Sequence, residues 1–153
     1  MINMEDDIIS FLKEYDLTYV KIDNIKSIEK IHNLFINGDT NENPETDIEY
    51  LYYGNYYRYK IKDYDSMKKY FLMAIELNNV FAMQNLADFY QDEKDYDSMK
   101  KYYLMAIELK YLIAMVNLAY FYQYIEKDYD SMKKYYLMAI ELTEPIAMNN
   151  LGR

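Results

Sequence analysis

The segment Lys94–Leu109, KDYDSMKKYYLMAIEL, recurs letter for letter at Lys127–Leu142, and a third time at Lys62–Leu77 with Phe71 as the one change. A looser phrase lies between the copies: AMQNLADFY at Ala82–Tyr90, AMVNLAYFY at Ala114–Tyr122 and AMNNLG at Ala147–Gly152. The period is 32 residues from Lys62 to Lys94 and 33 from Lys94 to Lys127. In the long phrase Met99, Tyr103, Ala106 and Ile107 form an apolar stripe at helical spacing. Two helices per repeat at this period predict stacked helical hairpins. One hairpin cannot bury both its faces, whereas neighbours in a stack can.

The punctuation agrees with this reading. Asp63, Asp95 and Asp128 are suited to cap the second helix of each repeat. Asp97, in the first turn, favours the helix dipole and stands four residues before Lys101, a pair worth about 0.3 kcal/mol. First helices are expected to end near Tyr59, Gln91 and Tyr124, each followed by a short turn rich in Lys and Asp. The residue that lengthens the second period is expected in a loop over Tyr124–Lys127, where insertion is cheap.

The ends are less regular. Met4–Tyr15 carries a weak stripe of Ile8, Ile9, Phe11 and Leu12, and Leu17–Ile22 reads as a short extended link. Asp23 or Asn24 can cap a helix to Asn37, with Ile25, Ile28, Ile31, Leu34 and Phe35 on one face and Gly38 in the C′ position. Residues 1–38 are expected to form a degenerate N-terminal cap, the other reading being a separate adaptor helix pair. Residues 39–46, with Pro44, read as a loop. Thr46 or Asp47 can cap a helix over Ile48–Tyr59, with Glu49 in its first turn. Repeats are expected over 47–78, 79–110 and 111–143. A truncated first helix is expected over 144–153, with Pro145 as its opening residue.

Composition narrows the function. The chain has no cysteine and one histidine, His32, so thiolate and histidine-pair metal sites are excluded. His32 reads as structural. Three glycines provide no phosphate-cradling loop. Acidic pairs such as Asp95 and Asp97 recur in every copy, and capping explains them. No catalytic constellation stands out, so the chain is expected not to be an enzyme and to need no cofactor. The net charge is −9, most of it in the first 49 residues. That charge argues against nucleic acid and anionic membrane as partners. No apolar run approaches the length of a membrane span, and the first residues are acidic, so an intracellular, cytoplasmic location is expected. Tyrosine is abundant, at 21 copies with no tryptophan. A recognition surface and helix packing both use such rings. Packing is preferred, because many of the tyrosines fall at packing positions.

Leu86, Ala87, Tyr90, Met99, Tyr103 and Ala106 fall at the spacing of the tetratricopeptide consensus. The join AIELNNVFAMQNLADFY is similar to that of Sel-one-like repeats, and Tyr102–Tyr103 resembles their Trp-Tyr pair. The turn inside each repeat lacks their Gly-x-Gly-Val segment and has the shorter tetratricopeptide length. The chain thus resembles a Sel-one-like/tetratricopeptide hybrid, in a Tyr- and Asn-rich style similar to repeats of giant DNA viruses. That style would place it in a host cytoplasm. The resemblance implies an all-α, right-handed solenoid of two-helix repeats and a non-enzymatic adaptor that binds another protein.

It also implies that first helices line a concave groove for a peptide or helix. By position that groove holds Leu51, Asn55 and Arg58, then Gln84, Asp88 and Gln91, then Val116, Tyr120 and Gln123. The places where some members hold a basic carboxylate clamp carry Leu51, Ile113 and Asn117 here, so no clamp is expected. On the outer helices, Leu72–Met73, Leu104–Met105 and Leu137–Met138 would form an apolar strip unless neighbouring helices cover them. With Ile146, Met148 and Leu151 at the unfinished C-terminal end, the strip is the expected surface for self-association, as a homodimer or structural module.

Overall fold

The computed structural model describes residues 25–151 together with Ser10 and Lys13, and for Ile25, Ile28 and residues 144–151 the backbone alone. The expected stripe over Met4–Tyr15, the link over Leu17–Ile22 and the cap at Asp23 or Asn24 lie outside the described residues. So do the side chains of Ile25 and Ile28, expected on the apolar face of the first helix, and those of Ile146, Met148 and Leu151. Among the described residues every regular element is a helix, and none is long and apolar enough to cross a membrane. The helices are α1 (Ile25–Asn37), α2 (Asp47–Tyr56), α3 (Tyr64–Glu76), α4 (Val80–Asp92), α5 (Tyr96–Glu108), α6 (Leu112–Phe121) and α7 (Tyr129–Leu151). The fold is an all-α, tetratricopeptide-like helical repeat. Its contacts divide into two compact units, with the boundary inside α4 after Ala82.

In the first unit α1 packs on α2, and α2 on α3. Gly38 closes α1 at φ 66°. Its N–H donates to the Leu34 carbonyl at 3.0 Å, and that of Asp39 to Asn33 at 3.1 Å. The core is Ile31, Leu34 and Phe35 against Leu51, Tyr52, Tyr53 and Tyr56, with Met67, Phe71, Ala74 and Ile75 beneath. Phe35 meets Tyr56 edge-on at 5.3 Å. Thr46 is the cap of α2, its hydroxyl accepting from the Glu49 N–H at 3.2 Å. In the second unit α6 packs on α5 and α7. Its core includes Leu86, Ala87, Met99, Tyr103, Ala106, Met115, Leu118 and Phe121.

The acidic caps are as the sequence predicts. Asp63, Asp95 and Asp128 each accept from the backbone N–H and the hydroxyl of the serine three residues on. These bonds hold all three carboxyls below the usual range. The tyrosines largely serve packing. Tyr57 stacks on Tyr70 at 5.4 Å, Tyr90 on Tyr102 at 5.8 Å and Tyr122 on Tyr135 at 5.7 Å, one pair within each repeat.

The inserted residue is not in a loop. It is taken up by a π-helical turn, Tyr122–Glu126, continuous with α6, and the same device occurs at Tyr57–Ile61 after α2. One bond explains the choice. The N–H groups of Asp63, Asp95 and Asp128 donate to the carbonyls of Tyr57, Tyr90 and Tyr122 at 3.0, 2.9 and 2.9 Å. The second repeat closes this ring with one residue fewer. Widening the last helical turn to i→i+5 keeps the closure and the stacked tyrosines while hosting the insertion. Lys100 steadies the third-repeat turn by pairing with Glu126 and standing 5.3 Å over the Tyr122 ring.

Each turn then passes through a lysine in the left-handed region: Lys62 at φ 59°, Lys94 at 59° and Lys127 at 55°. That conformation costs an L-residue about 1–2 kcal/mol, and glycine escapes it at an entropic cost of about 0.5–1 kcal/mol. Lys94→Gly is therefore expected to raise stability by up to about 1 kcal/mol, and Lys94→Val to lower it. Urea midpoints of the two variants measure this. A lower midpoint for the glycine variant would mean that the lysine gains more from its surroundings than its backbone loses.

The end of the chain departs from expectation. No new helix opens at Pro145, because α7 runs unbroken from Tyr129 to Leu151. At the two earlier joins the chain turns back through Asn78 at φ 61° and Lys110 at φ 58°. The corresponding residue here is Thr143. A β-branched side chain disfavours positive φ, and its hydroxyl donates to the Ile140 carbonyl at 2.9 Å, a bond made within the helix.

Candidate protein-docking face

Helix α6, LIAMVNLAYF, is apolar nearly all round, with Asn117 its one side-chain amide, a pattern that ordinarily belongs to a helix enclosed on all sides. Ala114, Met115, Leu118, Ala119 and Phe121 are indeed buried. The opposite side is not: Ile113, Val116 and Tyr120 are exposed, as is Tyr124 in the π-helical turn that continues the helix. Their spacing of three, four and four places them in one row. Tyr120 and Tyr124 lie ring to ring at 4.4 Å and are each 54% exposed.

Polar groups from α4 and from the π-helical turn stand beside this row, held by tyrosines. Tyr103 on α5 donates its hydroxyl to the Asp88 carboxylate and is hydrogen-bonded by Asn117 of α6. Tyr111, the residue before α6, donates to Gln84 Oε1 at 2.7 Å. Tyr136 donates to Gln123 Oε1 at 3.0 Å. Burial and the neighbouring Asp88 charge push the Tyr103 hydroxyl well above its usual range and that of Tyr111 up to about 12. Both therefore stay protonated donors at neutral pH. The arrangement is a preorganised border of amides and one engaged carboxylate beside an apolar row. It offers contact area and fixed hydrogen-bonding groups rather than a nucleophile or base.

The expected groove residues separate under this geometry. Val116 and Tyr120 are exposed, while Gln84, Asp88, Gln91 and Gln123 are half-buried. Leu51 and Asn55 are corrected: both are fully buried, because α2 is enclosed between α1 and α3. Arg58 is half-buried, its guanidinium 5.1 Å from the Tyr59 ring centroid. Ile113 and Tyr124 extend the row beyond the residues expected from the resemblance. Their signal was present in the apolar residues on the side of α6 opposite Ala114 and Leu118. On the outer helices Leu72, Leu104 and Leu137 are exposed and Met73, Met105 and Met138 half-buried.

Two other groups were candidates for chemistry. A polar recess of about 400 Å³ in the first unit is lined by Lys26, Lys30, Glu45 and Glu49, among others. Its central charges are spent on one another: Lys30 Nζ donates to Glu49 Oε2 at 2.9 Å. His32 is half-buried on α1. Among the described residues no three His, Cys, Asp or Glu side chains are grouped to hold a metal.

The family model of the tetratricopeptide repeat matches residues 82–111, which run from the first turn of α4 through α5 to Tyr111. No curated protein and no solved structure matches the chain. Repeats of this class generally mediate binding between proteins.

Proposed function

We propose that the chain is a non-enzymatic adaptor whose second unit binds a helix or extended peptide of a partner protein along α6. The observation that carries this reading is the exposed row Ile113, Val116, Tyr120 and Tyr124 along a mostly buried helix and the π-helical turn that continues it. Gln84, Asp88, Gln91 and Gln123 form the polar border that would set the partner's register. A partner with apolar residues at helical spacing fits the row, and aromatic anchors flanked by polar rims are where interfaces concentrate their energy. Joins similar to those of Sel-one-like repeats point the same way.

Val116→Glu and Tyr120→Ala test this together. Each alters an exposed side chain, so the thermal melt should stay close to that of the wild type. Loss of an interface hot spot costs about 2 kcal/mol, or roughly thirtyfold in affinity. Proteins captured by the wild type should be depleted by that order in both variants and retained by Lys101→Ala, an exposed change on α5. Equal capture by all of them would remove α6 as the binding face.

A further inference from the structure

Helices α5 and α7 come from identical sequence, Lys94–Leu109 and Lys127–Leu142, so any difference in exposure reports what covers them. On α5, Met99 and Tyr103 are buried and Ile107 is 8% exposed. On α7, the matching Met132 and Tyr136 are half-buried and Ile140 is 50% exposed. The face of α5 is covered by the first helix of the next repeat: α6 packs on it, and Asn117 of α6 reaches Tyr103. A sequence for the corresponding cover lies beyond Leu142, in the last turns of α7. AMNNLG at Ala147–Gly152 matches AMVNLA at Ala114–Ala119, and Asn150 holds the register place of Asn117.

That segment does not fold back. It prolongs α7 in a single helix, which puts Asn150 about 21 Å along the axis from Tyr136. Thr143 at the join opposes the positive φ that turned the chain at Asn78 and Lys110. Pro145 lacks an amide N–H and weakens the helix beside that join. A join that can neither turn easily nor form a strong helix is a place where elements are exchanged between copies.

We infer that the uncovered face of α7 is completed by residues 147–152 of a second copy of this chain, giving a two-fold, swapped homodimer. Each copy donates its AMNNLG segment to Met132, Tyr136 and Ile140 of the other, with Asn150 at the register place that Asn117 holds beside α5. The contacts are those already made between α5 and α6, so exchange changes which chain supplies them and not their kind. None of the α6 row is used, and the dimer stands or falls independently of partner binding there.

The chain has no cysteine, which makes the test direct. The full chain carrying Tyr136→Cys and Asn150→Cys is oxidised at low micromolar concentration and run without reductant. Swapping predicts a disulfide-linked dimer. An intramolecular disulfide, or none, would overturn the proposal. Sedimentation of the unaltered chain at tens of micromolar should give a dimer, weakened tenfold or more by Ile140→Asp. Thr143→Gly, which permits the turn, should shift it to monomer with the helical circular dichroism retained. A monomeric wild type refutes the inference. So does a dimer that resists both substitutions and yields instead to Leu104→Asp with Leu137→Asp.

Discussion

Replacing Glu49 by alanine is expected to destabilise the first unit by about 3–5 kcal/mol, the cost of removing one partner from a buried ion pair. The carboxylate is nearly inaccessible in the first turn of α2. It accepts from Ser27 Oγ at 2.6 Å, Lys30 Nζ at 2.9 Å and the Glu45 N–H at 2.8 Å. Alanine would leave the largely covered Lys30 ammonium without its nearest counter-charge, and the Ser27 hydroxyl without its acceptor. Glutamine keeps the shape and part of the bonding, and should cost about 1–3 kcal/mol. Burial pushes the Glu49 carboxyl up. The bonds from Ser27, Lys30 and the Glu45 N–H outweigh that and hold it below its ordinary value of 4.5. A carboxyl depressed in the folded state stabilises above its unfolded pKa and loses that contribution as pH falls through the folded value. Wild-type stability should therefore decline below about pH 4.5, and Glu49→Gln should lack that part of the decline. Urea titrations at neutral and acid pH measure both. A variant within half a kilocalorie of the wild type at neutral pH would show that the network contributes little.

Glu49 also marks where the sequence becomes hard to read. As a first-turn acid after a threonine cap it is legible, because cap and helix are neighbours in the chain. Its role as the tie to α1 is not, since Ser27 lies 22 residues upstream and meets it only after the helices dock. The repeat itself, the capping aspartates and the packing use of tyrosine follow from spacing and identity over short range. The π-helical turns are half legible: the extra residue can be counted, but a loop and a widened turn absorb it equally well until the bond from Asp128 to Tyr122 is known. The left-handed lysines carry no glycine or asparagine to announce them, only their recurrence at one register.

The candidate face was legible for the same reason and failed for the opposite one. Register transfers position from repeat to repeat but not exposure. Leu51 and Asn55 share the places of Gln84 and Asp88, or Val116 and Tyr120, yet α1 closes over them. The unbroken course of α7 turned on Thr143, where the two earlier copies carry Asn78 and Lys110, neither of them β-branched. A repeat shows what its neighbours should do, and each departure here traces to a residue that differs from its copies or to an element outside them.

Gly54 is such a residue, and Gly54→Val is expected to cost about 3 kcal/mol, at the upper end for overpacking a core. In the other repeats its place is held by Ala87 and Ala119, opposite Tyr103 and Tyr136. A Cβ at residue 54 would stand 2.4 Å from Cδ1 and 2.5 Å from Cε1 of Phe71. Phe71 is fully buried, so its ring cannot swing into solvent to make room. Glycine inside a helix forfeits about 1 kcal/mol relative to alanine, and its presence in α2 marks how closely the ring of α3 approaches. Gly54→Ala recovers that propensity but meets the same ring, and should destabilise by about 1–2 kcal/mol net. Phe71→Ala alone should cost about 3–5 kcal/mol by opening a cavity. In the double variant Gly54→Val/Phe71→Ala the valine occupies part of that cavity, so the two costs should fall short of their sum by about 1–3 kcal/mol. Strict additivity in urea unfolding would mean that ring and backbone do not touch, and that the helices of the first repeat stand further apart than the structure places them.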